Sequence, residues 1–254
     1  MAEVTSYPVG RPCWADVTTP DIGAATAFYG ELFGWHAEQS PDPEAGGYTM
    51  FTVNGQNVAA ASPPQGEGIP PHWTVYLASD DVDATAGRVR DAGGTVLAEP
   101  FDVFDAGRMS VASDPAGAVF GIWQAGSHVG SQLRGEPGTM NWAEVQTRDR
   151  DAAKPFYEQV FGYETDTMEM GAGGEYVVFK AAGESAAGLI EIRGEWGDVP
   201  SNWSVVFQVP DCDAAVALVQ KRGGTLHHGP QDIPEVGRFA VVADPWGAAF
   251  QVIA

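Results

Sequence analysis

With 254 residues, 44% of them apolar, the chain can form one large domain or two of about 125 residues around a substantial core. A formal charge of −21, with only 13 scattered basic residues, leaves no stripe that could follow a phosphate backbone and excludes nucleic acid as an expected partner. No apolar run approaches the roughly 18 residues of a membrane span, and the opening MAEVTSYPVGRPCW lacks the basic and apolar regions of a signal peptide, so a cytoplasmic protein without membrane contact is expected.

The first strand-like run, Pro12 to Thr19, alternates in character and leads through Asp21 into an Ala-rich helix that Gly34 stops. Short β-branched and aromatic runs follow, such as YTMFTVNGQNVAAA, and then WTVYLASDDVDATAGRVRDAG repeats the strand, Asp and helix order. The block GRMSVASDPAGAVFGI closes this half of the chain. The turn-rich segment after Gln124 is read as a linker over residues 126–139, between a first domain at 1–125 and a second at 140–254.

The second half repeats the first. WADVTTPDIGAATAFYGELFGW realigns on WAEVQTRDRDAAKPFYEQVFGY at an offset of 128 with 11 of 22 positions identical, and GRMSVASDPAGAVFGI realigns on GRFAVVADPWGAAFQV at an offset of 130 with 8 of 16 identical. WSVVFQVPDCDAAVALVQKRG supplies the fourth strand–helix unit. The predicted order is strand, helix, strand, strand, strand, four times over. Cys13 and Cys212 sit in no CxxC pattern and read as core or strand residues.

The FYGELFGW and FYEQVFGY helix ends, the DDVDA and PDCDA helix starts, and the DPAGAVFGI and DPWGAAFQV blocks resemble the vicinal oxygen chelate superfamily of glyoxalase I, bleomycin- and fosfomycin-resistance proteins and extradiol dioxygenases. The four-unit arrangement is similar in particular to an actinobacterial subgroup called glyoxalase-like or hydroxylase. The resemblance implies an α+β fold of four βαβββ half-units, forming two tandem domains whose curved mixed sheets enclose clefts. It also implies a divalent metal ion, held by residues on the first and last strands of the half-units.

Few of the implied ligand positions carry a possible ligand: the first copy retains none, and the second at best Glu191 and Gln251. Seven residues before the capping Asp21, Asp81, Asp149 and Asp211 stand Trp14, Thr74, Trp142 and Ser204. The last-strand positions fall on Gly121 and Gln251, and in the earlier half-units on Glu191 and on the apolar VAAAS. A facial site needs at least three donors, so no metal ligands are assigned and no cofactor is expected, with a divalent ion as the alternative. His36, His72, His128, His227 and His228 fall in turns or strand edges, and the adjacent pair points to opposite faces.

Alternation then selects the cleft residues. Ala15 and Val17 suit the underside of a helix, which leaves Trp14, Asp16 and Thr18 on the concave face; Trp142, Glu144 and Gln146 correspond in the second copy. Thr74 and Tyr76, and Ser204, Val206 and Gln208, share that face. Asp16 and Glu144 are the candidate catalytic acid–base groups, with ion pairs to Arg108 or Arg238 as the structural alternative. Trp14, Thr74, Tyr76, Trp142, Glu191, Ser204 and Gln251 are the candidate ligand-binding residues. Trp73, Trp203 and the pairs Phe28–Tyr29 and Phe156–Tyr157 are assigned to the core.

Four functions stay open: binding, with or without transformation, of a small organic molecule in a metal-free cleft; metal-dependent lyase, isomerase or dioxygenase chemistry; cofactor-free isomerase, cyclase or hydroxylase chemistry at Asp16 or Glu144; and a non-enzymatic scaffold or antigen role. The expected partner is a small molecule, and the protein is expected to be a monomer or homodimer.

Overall fold

The computed structural model describes residues 3–170 and 174–254, apart from the side chain of Glu195. The first copy runs β1 (Pro12–Thr18), α1 (Ile22–Phe33), β2 (His36–Gln39), β3 (Thr49–Val53), β4 (Gln56–Ser62), β5 (His72–Ala78), α2 (Val82–Asp91), β6 (Thr95–Val103), β7 (Gly107–Ser113) and β8 (Val119–Ala125). The second runs β9 (Met140–Thr147), α3 (Arg150–Phe161), β10 (Glu164–Met170), β11 (Gly174–Ala181), β12 (Glu184–Glu191), β13 (Asn202–Gln208), α4 (Cys212–Lys221), β14 (Thr225–Ile233), β15 (Gly237–Ala243) and β16 (Ala249–Ile253). This is the α+β order of four βαβββ half-units. Asp21, Asp81, Asp149 and Asp211 cap the four helices, each accepting from the backbone N–H three residues on. Among the described residues no helix is long and apolar enough to cross a membrane.

Each copy makes one eight-stranded mixed sheet, in the orders β2-β3-β4-β1-β5-β8-β7-β6 and β10-β11-β12-β9-β13-β16-β15-β14. The central pairs β1–β5 and β9–β13 are antiparallel, while β1–β4, β5–β8, β9–β12 and β13–β16 are parallel. The half-units therefore join within a copy, and each cleft belongs to one copy.

The helices lie between the two sheets and share one core. Phe33 of α1 packs on Phe207 of β13 with ring centroids 4.9 Å apart, and Phe120 of β8 lies 5.7 Å from Tyr157 of α3. Two reciprocal hydrogen-bonded trios seal this interface. Trp73 Nε1 donates to the Tyr29 hydroxyl at 3.1 Å, which donates to Asp244 of the other copy at 2.9 Å. Trp203 Nε1 donates to Tyr157 at 2.8 Å, which donates to Asp114 at 3.1 Å. The Tyr of the helix motif and the Asp of the DP.G turn are thus partners across the copies. Burial first, and the adjacent carboxylate second, push both phenols well above their usual range, so they stay protonated donors.

Residues 126–139 are tied down along their length. Ser131 N–H donates to Cys13 O, Gln132 N–H to Asn57 O, and Trp35 Nε1 reaches Gly138 O at 2.6 Å. The segment is a strap across the first sheet.

Tyr157→Phe removes a hydroxyl that satisfies two buried groups, and is expected to cost about 1–3 kcal/mol in urea unfolding. The loss should appear in a single transition, because the core is common to both copies; a two-step curve with only one step displaced would contradict the shared core.

Candidate functional site

The core side chains of β1 and β9 fix what the opposite face presents. Ala15, Val17, Ala143 and Val145 are buried in the helix-side core. The alternate residues Trp14, Asp16, Trp142 and Glu144 turn to the concave side, where Trp14 joins a separate cluster with Cys13, Tyr76 and Trp123.

In the first copy Trp14 Nε1 donates to the Tyr48 hydroxyl at 2.9 Å, and Tyr48 donates to Asp16 Oδ2 at 3.1 Å. Tyr76 donates to the same oxygen at 3.0 Å. In the second copy Trp142 Nε1 donates to Tyr176 at 2.8 Å, and Tyr176 donates to Glu144 Oε2 at 2.9 Å. The amides of Gln251 and Gln146 supply Glu144 Oε1 at 3.0 and 3.1 Å, and Gln251 also reaches Ser204 Oγ at 2.9 Å. Both clefts therefore hold a Trp–Tyr–carboxylate relay. Thr74 and Ser204 lie directly across the central strand pair from Asp16 and Glu144.

Tyr48 and Tyr176 are absent from the candidates read off the sequence. They are separated by the same 128 residues as the first strands, so extending the repeat through YTMF and YVVF finds them. Glu191 stands apart from the cluster. It shares its alternation with Ala187 and Leu189, which pack toward the helices, and it is exposed at the strand end. The ion pairs offered as an alternative for Asp16 and Glu144 do not form. Arg108 binds Asp83 and Asp102, and Arg238 binds Asp213 and Asp232, tying each GR turn to a helix start.

The two copies complete their carboxylate by different means. A Cβ on Gly121 would stand 2.1 Å from Tyr76 Cδ1, so the missing side chain is what lets the Tyr76 ring cross to Asp16. In the second copy the counterparts, 130 residues on, are Val206 and Gln251, and the donor comes from β16 instead. Gly188 does similar service on β12, where a Cβ would meet the Tyr176 oxygen at 1.9 Å.

Burial pushes the Asp16 carboxyl from the usual 3.8 up to about 6, against the pull of the Tyr76 and Tyr48 hydroxyls and of His72. Desolvation likewise drives Tyr48, Tyr76 and Tyr176 well above the ordinary phenol range, so all three remain donors.

The divalent ion that the resemblance implies does not fit these donors. An indole occupies the first-strand position in both copies, and its N–H is a donor that cannot ligate. The last-strand position is Gly121 in one copy, while in the other it is an amide whose N–H₂ faces Glu144. Among the described residues no three His, Cys, Asp or Glu side chains gather as a metal group.

Gly121→Ala is expected to displace Tyr76 and cost about 1–3 kcal/mol. Tyr76→Val with Gly121→Gln should recover most of the loss of Gly121→Gln alone by installing the second copy's solution. Thermal melts compare them, and a double variant no more stable than the single one would refute the exchange. A second expectation concerns pH. The folded Asp16 carboxyl gains its proton near pH 6 and the unfolded one near 3.8, so this group's contribution to stability falls as pH rises between those values. Asp16→Asn should remove that component, worth up to about 3 kcal/mol above the window, and flatten the profile. Identical urea-midpoint profiles for the two proteins would rule it out.

Comparison with known proteins places the architecture. The model of the Glyoxalase/Bleomycin resistance protein/Dioxygenase superfamily matches residues 12–122 and 139–252. The chain is 46% identical to CFP32 of Mycobacterium tuberculosis, which carries a provisional glyoxylase name, over 100% of this chain and 98% of that one. It is 40% identical to the anthracycline biosynthesis protein DnrV of Streptomyces peucetius, over 98% and 95%. Among solved structures it is similar to the Mn(II)-bound glyoxalase of Novosphingobium aromaticivorans, with a TM-score of 0.66, 16% identity and coverage of 96% and 82%. The 2,2',3-trihydroxybiphenyl 1,2-dioxygenase of Sphingomonas wittichii gives 0.66, 14%, 96% and 90%. The chain belongs to the glyoxalase/bleomycin resistance protein/dioxygenase superfamily.

Proposed function

We propose that this protein binds a small planar organic molecule on the concave face of its sheet without a metal ion, as a monomer or homodimer. The observation that carries the reading is the Trp–Tyr–carboxylate relay, whose indole stands where the resemblance calls for a first-strand metal ligand. An indole offers a flat apolar face, and the carboxylate beside it accepts from a ligand hydroxyl. The 40% identity to a protein of anthracycline biosynthesis supports a polycyclic, hydroxylated ligand class.

Cofactor-free proton transfer is the second reading. It is favoured by the placement of Glu144, a buried carboxylate beside Trp142 with donors on both oxygens. Binding and turnover separate in Glu144→Gln: an acid–base role predicts that turnover is lost while binding persists.

Quinizarin, a planar dihydroxyanthraquinone, is the probe. Titration should quench tryptophan emission saturably, and Glu144→Ala should weaken the affinity about tenfold, as expected for loss of one charge-assisted hydrogen bond. Emission unchanged across the titration would remove the reading. Protein purified without chelators should hold well under one divalent ion per chain by elemental analysis; a stoichiometric ion would restore the metal-dependent alternative.

A further inference from the structure

The relays match, but their surroundings do not. In the first copy the strap lays the His128 ring edge-on against Trp14, with centroids 4.5 Å apart, and 5.7 Å from Trp123. Trp123 Nε1 holds the strap by donating to His128 O at 3.0 Å, and Tyr7 donates to Ser131 O from the N-terminal segment. Trp14 is left 4% exposed, whereas Trp142 is only partly buried. In the second copy Met168 and Met170 of β10 stand exposed, at 55% and 37%.

His128 is chemically odd where it lies. Among the described residues its Nε2 is the one buried side-chain nitrogen or oxygen without a hydrogen-bond partner. Burying such an atom is unfavourable unless other contacts compensate, and the ring contacts with the two indoles act together with the backbone bonds of His128 to Ala106 O and Trp123 Nε1. Desolvation lowers its pKa to about 4, which keeps the imidazole neutral against Trp14. A cavity of about 270 Å³ lies nearby, against Tyr7, Cys13, Ser79 and Trp123, but its walls include neither Trp14 nor Asp16.

We propose that His128 is an intramolecular occupant of the first cleft, standing where a planar ligand would sit, so that only the second cleft, at Trp142 and Glu144, receives a molecule from solution. The occupant is an aromatic ring carried by the strap. It closes the copy whose carboxylate is completed by Tyr76 and leaves open the copy whose carboxylate is completed by Gln251 and Gln146. Ligand capacity is then one per chain despite the duplicated architecture. The assignment of ligand to the second cleft rests on the binding function proposed above; the occlusion of the first does not.

Hydrogen exchange of the indole N–H groups tests the occlusion in the ligand-free full chain. Trp14 and Trp142 donate to equivalent tyrosines at 2.9 and 2.8 Å, so a difference in exchange reports cover rather than bonding. With signals assigned by Trp→Phe variants, Trp14 should exchange at least about tenfold more slowly than Trp142. His128→Ala should bring the two rates together, and His128→Phe, which keeps a ring, should preserve the protection and show that the strap still folds. Equal rates in the native protein, or protection that survives His128→Ala, would overturn the occlusion.

Quinizarin then tests the assignment. One equivalent should shift the Trp142 indole and leave Trp14 in place, with a second equivalent bound only after His128→Ala. A shift of Trp14 in the native protein refutes the assignment while leaving small-molecule binding intact. No shift of either indole refutes the planar-ligand function, and the exchange rates still decide the occlusion.

Discussion

Two strands at the centre of two sheets set the terms for the whole molecule. β1 and β9 must bury Ala15, Val17, Ala143 and Val145 under the helices, and a strand has only two faces. Trp14, Asp16, Trp142 and Glu144 are therefore driven to the concave side together. Once an acid is held there out of water it needs donors, and each sheet brings a tyrosine, Tyr48 just before β3 or Tyr176 of β11, to supply one. A one-residue slip would place carboxylates among the helices and indoles against their caps, which the shared core forbids.

The same hydrogen-bonding demand has two solutions in one chain. In the first copy a phenol leans across a glycine; in the second a glutamine fills the glycine's place and a valine replaces the phenol. The residues change in pairs because neither half works alone: Tyr76 has no room if position 121 carries a side chain, and Glu144 loses a donor if position 251 does not. The copies have kept the buried acid and its indole while replacing the groups around them. At the first-strand positions where the family resemblance implies metal ligands, both copies carry an indole hydrogen-bonded through a tyrosine to a carboxylate.

The interface between the copies answers a separate question, why the FY and DP.G motifs recur. Each pairs with its counterpart in the other copy through a buried Tyr–Asp hydrogen bond, and neither touches a cleft. Their recurrence reflects assembly of one core from two sheets. The clefts face away from it, which leaves them free to diverge.

Strand and helix order, the capping aspartates, the duplication and the inward face of β1 and β9 were all legible in the sequence, because each follows from spacing within a few residues. Tyr48 and Tyr176 were within reach of the repeat, yet their role was not, since each hydroxyl must reach the first strand from within or just before a strand two places away in the sheet. Glu191 looked placed for the cleft by counting, and strand alternation sent it the other way. The trade between Tyr76 with Gly121 and Val206 with Gln251, and the seat of His128 on Trp14, were decided only by the tertiary structure. Such contacts join residues far apart in the chain, and their geometry is set by which strands pair and in what register. Local sequence can fix which way a side chain points, but what it meets there depends on the whole sheet.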